Sequence, residues 1–305
     1  VGLWHPERTR GARRFRRPAS LAGFVVLALA LAGCSKESEA GRLGMPEIVT
    51  EQGDGILELW QGAWIAALVT GVVVWALILW PVFYFRRRND DEIPVQTRYN
   101  LPVEIFYTVF PIVMVVVFFS HTVRVQNDAL EMVAEPDVCV TVVGQKWTWT
   151  FNHHLDAADC AGDEDTQQGE VGYVTGDFNS EEGNRPTLYL PVGQTIEFDL
   201  YSPDVIHDFG IPAFAMRMDV VPGYDNGFQV TPTETGGPYK GYCYELCGAY
   251  HSRMLFQVEV VSQDEYEQYV ADLAADPDHH ADEPVTGGAY ADEAYLNPET
   301  EGEHE

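Results

Sequence analysis

A chain of 305 residues has room for one sizeable globular domain with appendages, or for two small domains. Its formal net charge of -29 repels phosphate, which excludes nucleic acid as a partner and favours a basic protein or a solvated surface. Long apolar runs fill the first 123 residues, whereas most of the acid lies after residue 150.

The chain opens on a positive segment, with Arg8, Arg10, Arg13, Arg14, Arg16 and Arg17. The apolar run Leu21 to Leu31 that follows is too short to span a bilayer, so residues 1–33 read as an export signal. Its closing residues Leu31-Ala32-Gly33-Cys34 resemble a bacterial lipobox, which implies a lipid anchor on Cys34. Residues 34–58 read as a polar extracytoplasmic linker. From Leu59 to Phe85 no side chain is charged, enough to cross the hydrocarbon core, with Trp60, Trp64, Trp80 and Tyr84 toward the ends. Arg86, Arg87 and Arg88 then place that end in the cytoplasm. A second uncharged run, Ile105 to Val123, returns the chain. Residues 59–125 are therefore expected to form a two-helix transmembrane hairpin in the lipid bilayer of a bacterial cell membrane, with both ends on the extracytoplasmic side.

Beyond Val125 short strands take over. Val138 to Val143 is β-branched, and Thr195 to Leu200 and Gln257 to Val260 alternate apolar with polar. Turns are signalled at Pro191-Val192-Gly193, Pro222-Gly223 and Gly236-Gly237-Pro238. The fold class is thus α+β: a membrane hairpin followed by an antiparallel β-sandwich or Greek-key barrel over residues 126–263. Asn152 to Asn184 reads as an acidic insert without Lys or Arg. Residues 264–305 read as an acidic tail, with a short helix at Tyr266 and Tyr269 and disorder beyond Asp276.

The segment from Cys243 to Met254 gathers four candidate ligands: Cys243, Cys247, His251 and Met254. Two thiolates, an imidazole and a thioether form a soft set that selects copper over magnesium, calcium or manganese. Zinc has no use for the Met, and a mononuclear blue-copper site needs only one Cys. Two Cys point to two metal ions bridged by thiolates, each with its own imidazole; His207, just past an alternating strand, is the natural second one.

Cys243-Tyr244-Glu245-Leu246-Cys247-Gly248-Ala249-Tyr250-His251-Ser252-Arg253-Met254 resembles the binuclear copper segment of cytochrome c oxidase subunit II, and the likeness runs from about Leu59 to Tyr269. It implies a cupredoxin-like domain. It also implies two copper ions bridged by Cys243 and Cys247, with His207, His251 and Met254 as terminal ligands and the Glu245 carbonyl as a weak one. The Glu245 side chain would face a magnesium ion shared with subunit I. Gly144 to Phe151 resembles the family's aromatic strand, in which an exposed Trp, here Trp147, receives the electron from cytochrome c; Lys146 stands where the family has Gln. Leu101 to Ile105 resembles the start of the family's second membrane helix and makes Glu104 the mouth of a proton path. Arg217 to Gly223 resembles another family segment, with Arg217 replacing Lys.

The resemblance implies electron transfer from cytochrome c to haem in subunit I, where oxygen is reduced and protons are pumped, with subunits I and III as partners. The lipobox and acidic insert look like actinobacterial forms, whose donor is the membrane-bound dihaem cytochrome of a bc complex, held in a supercomplex. Asp204 and Asp208 are expected to steer a basic donor. Cys139 and Cys160 remain, and an oxidising compartment permits a disulfide between them. Three rivals share parts of the pattern. A thioredoxin-like copper-delivery protein has one membrane helix, a quinol-oxidase subunit lacks the metal ligands, and the copper module of nitrous oxide reductase lacks the membrane hairpin.

Overall fold

The computed structural model describes residues 38–89, 93, 96–156, 169–176 and 185–287. The export signal, Cys34 and Cys160 lie outside them. The chain divides into two units, Val1–Glu47 and Ile48–Glu305. In the first, the described residues form a turn in which Ser38 O accepts from Arg42 N at 2.9 Å.

The second unit begins with two helices, α1 (Glu51–Tyr84) and α2 (Leu101–Ala129), both long and apolar enough to cross a membrane. Each outruns its uncharged stretch: α1 starts at Glu51 rather than Leu59, and α2 continues to Ala129 rather than Val123. At 1.5 Å per residue α1 measures about 51 Å, so its first turns stand clear of a hydrocarbon core about 30 Å thick. These turns meet the β domain. The Thr50 hydroxyl accepts from Gly53 N at 3.3 Å, capping the helix, and donates to Phe214 O at 3.1 Å. Beyond α2 the chain is tied down by Gln229, whose side-chain amide exchanges hydrogen bonds of 2.7 and 2.8 Å with both backbone groups of Val133. Aromatic pairs mark the two ends of the uncharged stretch of α1, Trp60 with Trp64 and Trp80 with Tyr84.

Eleven strands follow among the described residues: β1 (Val138–Gln145), β2 (Thr148–His154), β3 (Val171–Thr175), β4 (Thr187–Pro191), β5 (Ile196–Tyr201), β6 (His207–Ile211), β7 (Met216–Val220), β8 (Asn226–Val230), β9 (Gly236–Cys243), β10 (Leu255–Val261) and β11 (His280–Ala281). They form two sheets, ordered β11-β3-β2-β1-β5-β8 and β4-β10-β9-β6-β7. The sheets are mixed rather than purely antiparallel, since β1 pairs with β5, and β10 with β4, in parallel. The period-two alternation of β5 and β10 appears directly as alternating burial. Trp149, Phe151, Phe198, Phe209, Phe228 and Phe256 fill the space between the sheets.

Two readings of the acidic segments need correction. The span 152–184 is not wholly an insert: residues 152–154 complete β2, and residues 171–175 form β3, which pairs with β2. Nor does order stop at Asp276. Residues 280–281 pair with β3, and Val285 exchanges hydrogen bonds with the Asn152 side chain at 2.8 and 3.3 Å. Backbone pairing is indifferent to the acidity that suggested disorder. Residues 288–305 lie outside the described residues.

Helix α3 (Gln263–Ala275), started by a Ser262–Glu265 capping box, covers the sandwich at His153. His153 is fully buried, with Nδ1 3.1 Å from the Tyr266 hydroxyl. Burial, reinforced by neighbouring His154, lowers its pKa from 6.5 to about 3. The folded ring stays neutral in that window while the unfolded ring takes up a proton, so stability falls as pH falls, by roughly 1.4 kcal/mol per unit. Urea midpoints of the full chain in detergent should report a loss of about 2 kcal/mol between about pH 6.5 and pH 5 attributable to this group. His153→Phe should flatten the dependence by that amount; equal slopes in the two proteins would dismiss the assignment.

Candidate metal centre

Three segments converge at one end of the sandwich. His207 is the first residue of β6, Cys243 the last of β9, and the loop before β10 carries Cys247, His251 and Met254. The β6–β9 register sets Phe209 opposite Cys243, which brings His207 across to the sulfur. The loop holds its own shape: His251 N donates to Gly248 O at 3.2 Å and Met254 N to His251 O at 3.2 Å. Gly248 adopts φ +125°, a conformation open to glycine.

Cys243 Sγ and Cys247 Sγ stand 3.8 Å apart, and both thiols are free. A disulfide would need about 2.05 Å. His207 Nδ1 faces Cys243 Sγ at 3.8 Å, and His251 Nδ1 faces Cys247 Sγ at 3.6 Å. Met254 Sδ lies 3.7 Å from Cys247 Sγ, and the Glu245 carbonyl 3.2 Å from Cys243 Sγ. His207 and Met254 are fully buried, and the two cysteines nearly so. Soft donors face one another, with His207, Cys243, Cys247 and Met254 buried and His251 partly exposed, so this donor set fits copper. Among the described residues, the ligand atoms of His207, Cys243 and Cys247 lie close enough together to hold a metal ion.

The thiols are electrostatically unequal. The Cys247 thiol, despite burial and with help from His207, pulls Cys243 down to about 4. The hydrogen bond to Cys243, with burial, pushes Cys247 up. The close approach of the two sulfurs thus favours ionisation of Cys243 over Cys247, and a bound metal cation would require both thiols deprotonated.

Asp204 and Asp208 do not stand at the surface as steering charges. Both are buried, at 3% exposure for the Asp204 side chain and 8% for that of Asp208. Asp204 Oδ1 takes the His207 Nε2 hydrogen at 2.8 Å, and its other oxygen accepts from Lys146 N at 2.8 Å. Burial opposes both charges, but these hydrogen bonds prevail, lowering Asp204 and raising His207. With Nε2 occupied, the Nδ1 lone pair is left facing the sulfur. Asp204→Ala should cost roughly 10–100-fold in copper affinity, read by chelator competition on the full chain; unchanged retention would refute this role. Burial raises Asp208 to about 6 against the pull of Arg217, whose Nη1 is 3.8 Å away.

Trp147 is 6% exposed and sits in the β1–β2 turn, not on a strand facing solvent. Its indole N–H donates to Cys247 O at 3.2 Å. Glu245 is exposed on the loop. Glu104 lies far along the chain, at the head of α2, where Oε1 accepts from Asn100 N at 2.9 Å. Cys139 is disulfide-bonded.

A family model described as cytochrome c oxidase subunit II, periplasmic domain, matches residues 138–261. A probable cytochrome c oxidase subunit 2 of Streptomyces coelicolor is 46% identical over 286 residues, covering 87% of this chain and 88% of its own. The cytochrome c oxidase subunit 2 of Mycobacterium tuberculosis is 35% identical over 308 residues, covering 87% and 84%. The chain belongs to the cytochrome c oxidase subunit 2 family. Among solved structures, the periplasmic domain of oxidase subunit II from Bradyrhizobium japonicum is 25% identical, with TM-score 0.39, covering 47% of this chain and 98% of that one. Membership makes the chain the electron-accepting subunit of a haem–copper oxidase, membrane-bound, with an extracytoplasmic domain and a copper A site. The His207, Cys243 and Cys247 cluster lies within the matched residues.

Proposed function

We propose that this centre holds two copper ions bridged by Cys243 and Cys247, with His207, His251, Met254 and the Glu245 carbonyl completing the set. The observation that carries the reading is the pair of unbonded sulfurs 3.8 Å apart, each facing a separate imidazole Nδ1. Bound there, the copper pair supplies one-electron redox chemistry with the charge spread over both ions. The protein's part is to hold the donors rigidly, so that little rearranges when charge arrives. β6 and β9 fix His207 and Cys243 through backbone pairing, and Asp204 fixes the imidazole's orientation.

Cytochrome c is the donor in this reading, supplied as the membrane-bound dihaem cytochrome of a bc complex. Trp147, bonded to the Cys247 carbonyl, leads the electron inward. Haem in subunit I receives it for oxygen reduction coupled to proton pumping, beside subunit III. The Glu245 side chain, exposed next to the cysteines, is assigned to a magnesium ion shared with subunit I. Glu104 is assigned to proton uptake, Cys34 to a lipid anchor after removal of the signal peptide, and Cys160 to pairing with Cys139.

Paramagnetic resonance of the copper-loaded full chain tests the central claim. The expected spectrum is a mixed-valence hyperfine pattern shared equally by two copper nuclei. A pattern from one nucleus, or zinc without copper, would overturn it.

A further inference from the structure

The ring assigned above to electron transfer is covered. Trp147 is 6% exposed, and three of its described neighbours pack directly on it. Its N–H is spent on the Cys247 carbonyl at 3.2 Å. Its six-membered edge is packed so tightly against Gly248 that a Cβ there would lie 3.0 Å from Cζ2. The Tyr250 ring lies against it edge-on, centroids 4.9 Å apart at 85°. Tyr250 is itself only partly buried, and the exposed Arg253 places its guanidinium 5.3 Å from the Tyr250 ring centroid. Aromatic and charged groups are thus layered outward from the copper loop: Cys247, Trp147, Tyr250, Arg253.

We propose that Tyr250, rather than Trp147, is the side chain on which the reduced c-type haem domain docks, and that its ring carries the electronic coupling from the haem edge to Trp147. The inference rests on the reading that Trp147 lies on the electron path. Tunnelling decays exponentially with the width of an unfilled gap, so a donor halted outside Tyr250 depends on that ring to fill the gap to the indole. One electron leaves the ferrous haem, which becomes ferric, and one arrives at the copper centre. Tyr250 and Trp147 keep their own electrons and protons, no O–H bond is broken, and a phenyl ring serves as well as a phenol. Arg253 flanks the same ring and is a positioning residue for it, through a cation over the ring.

The test uses the purified oxidase and a soluble mono-haem cytochrome c as the probe. Hydroxyl-radical footprinting with mass spectrometry should label Tyr250 in the free enzyme and lose that label when oxidised cytochrome c is added, with Trp147 unlabelled throughout. At saturating reduced cytochrome c, Tyr250→Ala should slow flash-induced electron arrival by at least about tenfold, with the copper resonance spectrum unaltered. Tyr250→Phe should restore most of that loss, which a merely structural phenol would not allow. Labelling of Trp147 that the donor protects, or a wild-type rate in Tyr250→Ala, overturns the proposal. Trp147→Phe separates the two levels. If it slows transfer while Tyr250→Ala does not, only this inference falls; if neither slows it, the Trp147 path falls as well.

Discussion

Replacing Cys243 with serine should reduce electron transfer into the purified oxidase by well over about 100-fold, more than the loss of an outer-shell partner costs. Cys243 is the hub of the donor set: its sulfur stands 3.8 Å from Cys247 Sγ, 3.8 Å from His207 Nδ1 and 3.2 Å from the Glu245 carbonyl. Serine keeps the shape of the side chain but offers a hard oxygen that stays protonated, where copper requires a soft, ionised donor. It also removes the sulfur that faces Cys247 Sγ, so the remaining thiol sits beside a neutral hydroxyl. The domain should still fold, because the core cluster to which the site belongs rests mainly on rings and aliphatic side chains, and serine keeps the size of the lost cysteine. Circular dichroism should therefore be unchanged while the copper content and the mixed-valence spectrum are lost. A serine variant that accepts electrons from cytochrome c at the wild-type rate would remove the thiolate-bridged centre from consideration.

How far the sequence discloses this site depends on how local each contact is. Cys243, Cys247, His251 and Met254 lie in one loop at intervals that a single turn of backbone can gather, so their chemistry is legible from residue type and spacing alone. His207 is legible as an imidazole beside a strand, but its pairing with Cys243 depends on the β6–β9 register. Asp204 looks like a surface acid in the sequence. Only the fold turns it inward, because β1 brings the Lys146 amide to one carboxylate oxygen while His207 takes the other. Residue type leaves Trp147 open as either core or entry point, and only the fold decides, since Gly248 and Tyr250, about a hundred residues later, pack against it. The acidic stretches mislead for a different reason. Composition measures how much apolar surface a segment can bury, and β3 and β11 are held instead by main-chain pairing to a sheet already formed. Membrane helices fare better, because charge marks the hydrocarbon boundary; their extension to Glu51 and Ala129 reflects turns that stand in water and meet the β domain.

Phe209→Ala should destabilise the chain by about 3–5 kcal/mol, the range for removing a fully buried aromatic side chain. Phe209 is 0% exposed and lies at the centre of the ring cluster. It stacks on Phe256 at 5.0 Å and 11°, and meets Trp149 and Phe198 edge-on at 5.4 Å each. Phe256 and Trp149 belong to opposite sheets, so the cavity would open between the layers, where neither sheet can collapse without breaking strand register. The effect on the metal centre is indirect but specific. Phe209 follows His207 by two positions on the same strand and lies opposite Cys243, so loosening it loosens both ligands at once. In a domain of this size the loss corresponds to a fall in melting temperature on the order of 10 °C, measured on the full chain in detergent. At equal free copper the metal should stabilise the variant less than the wild type, because part of its binding energy is used to restore ligand geometry. Calorimetry showing a change below about 1 kcal/mol would mean that the sandwich does not rest on this ring, and that the strand pairing alone holds His207 against Cys243.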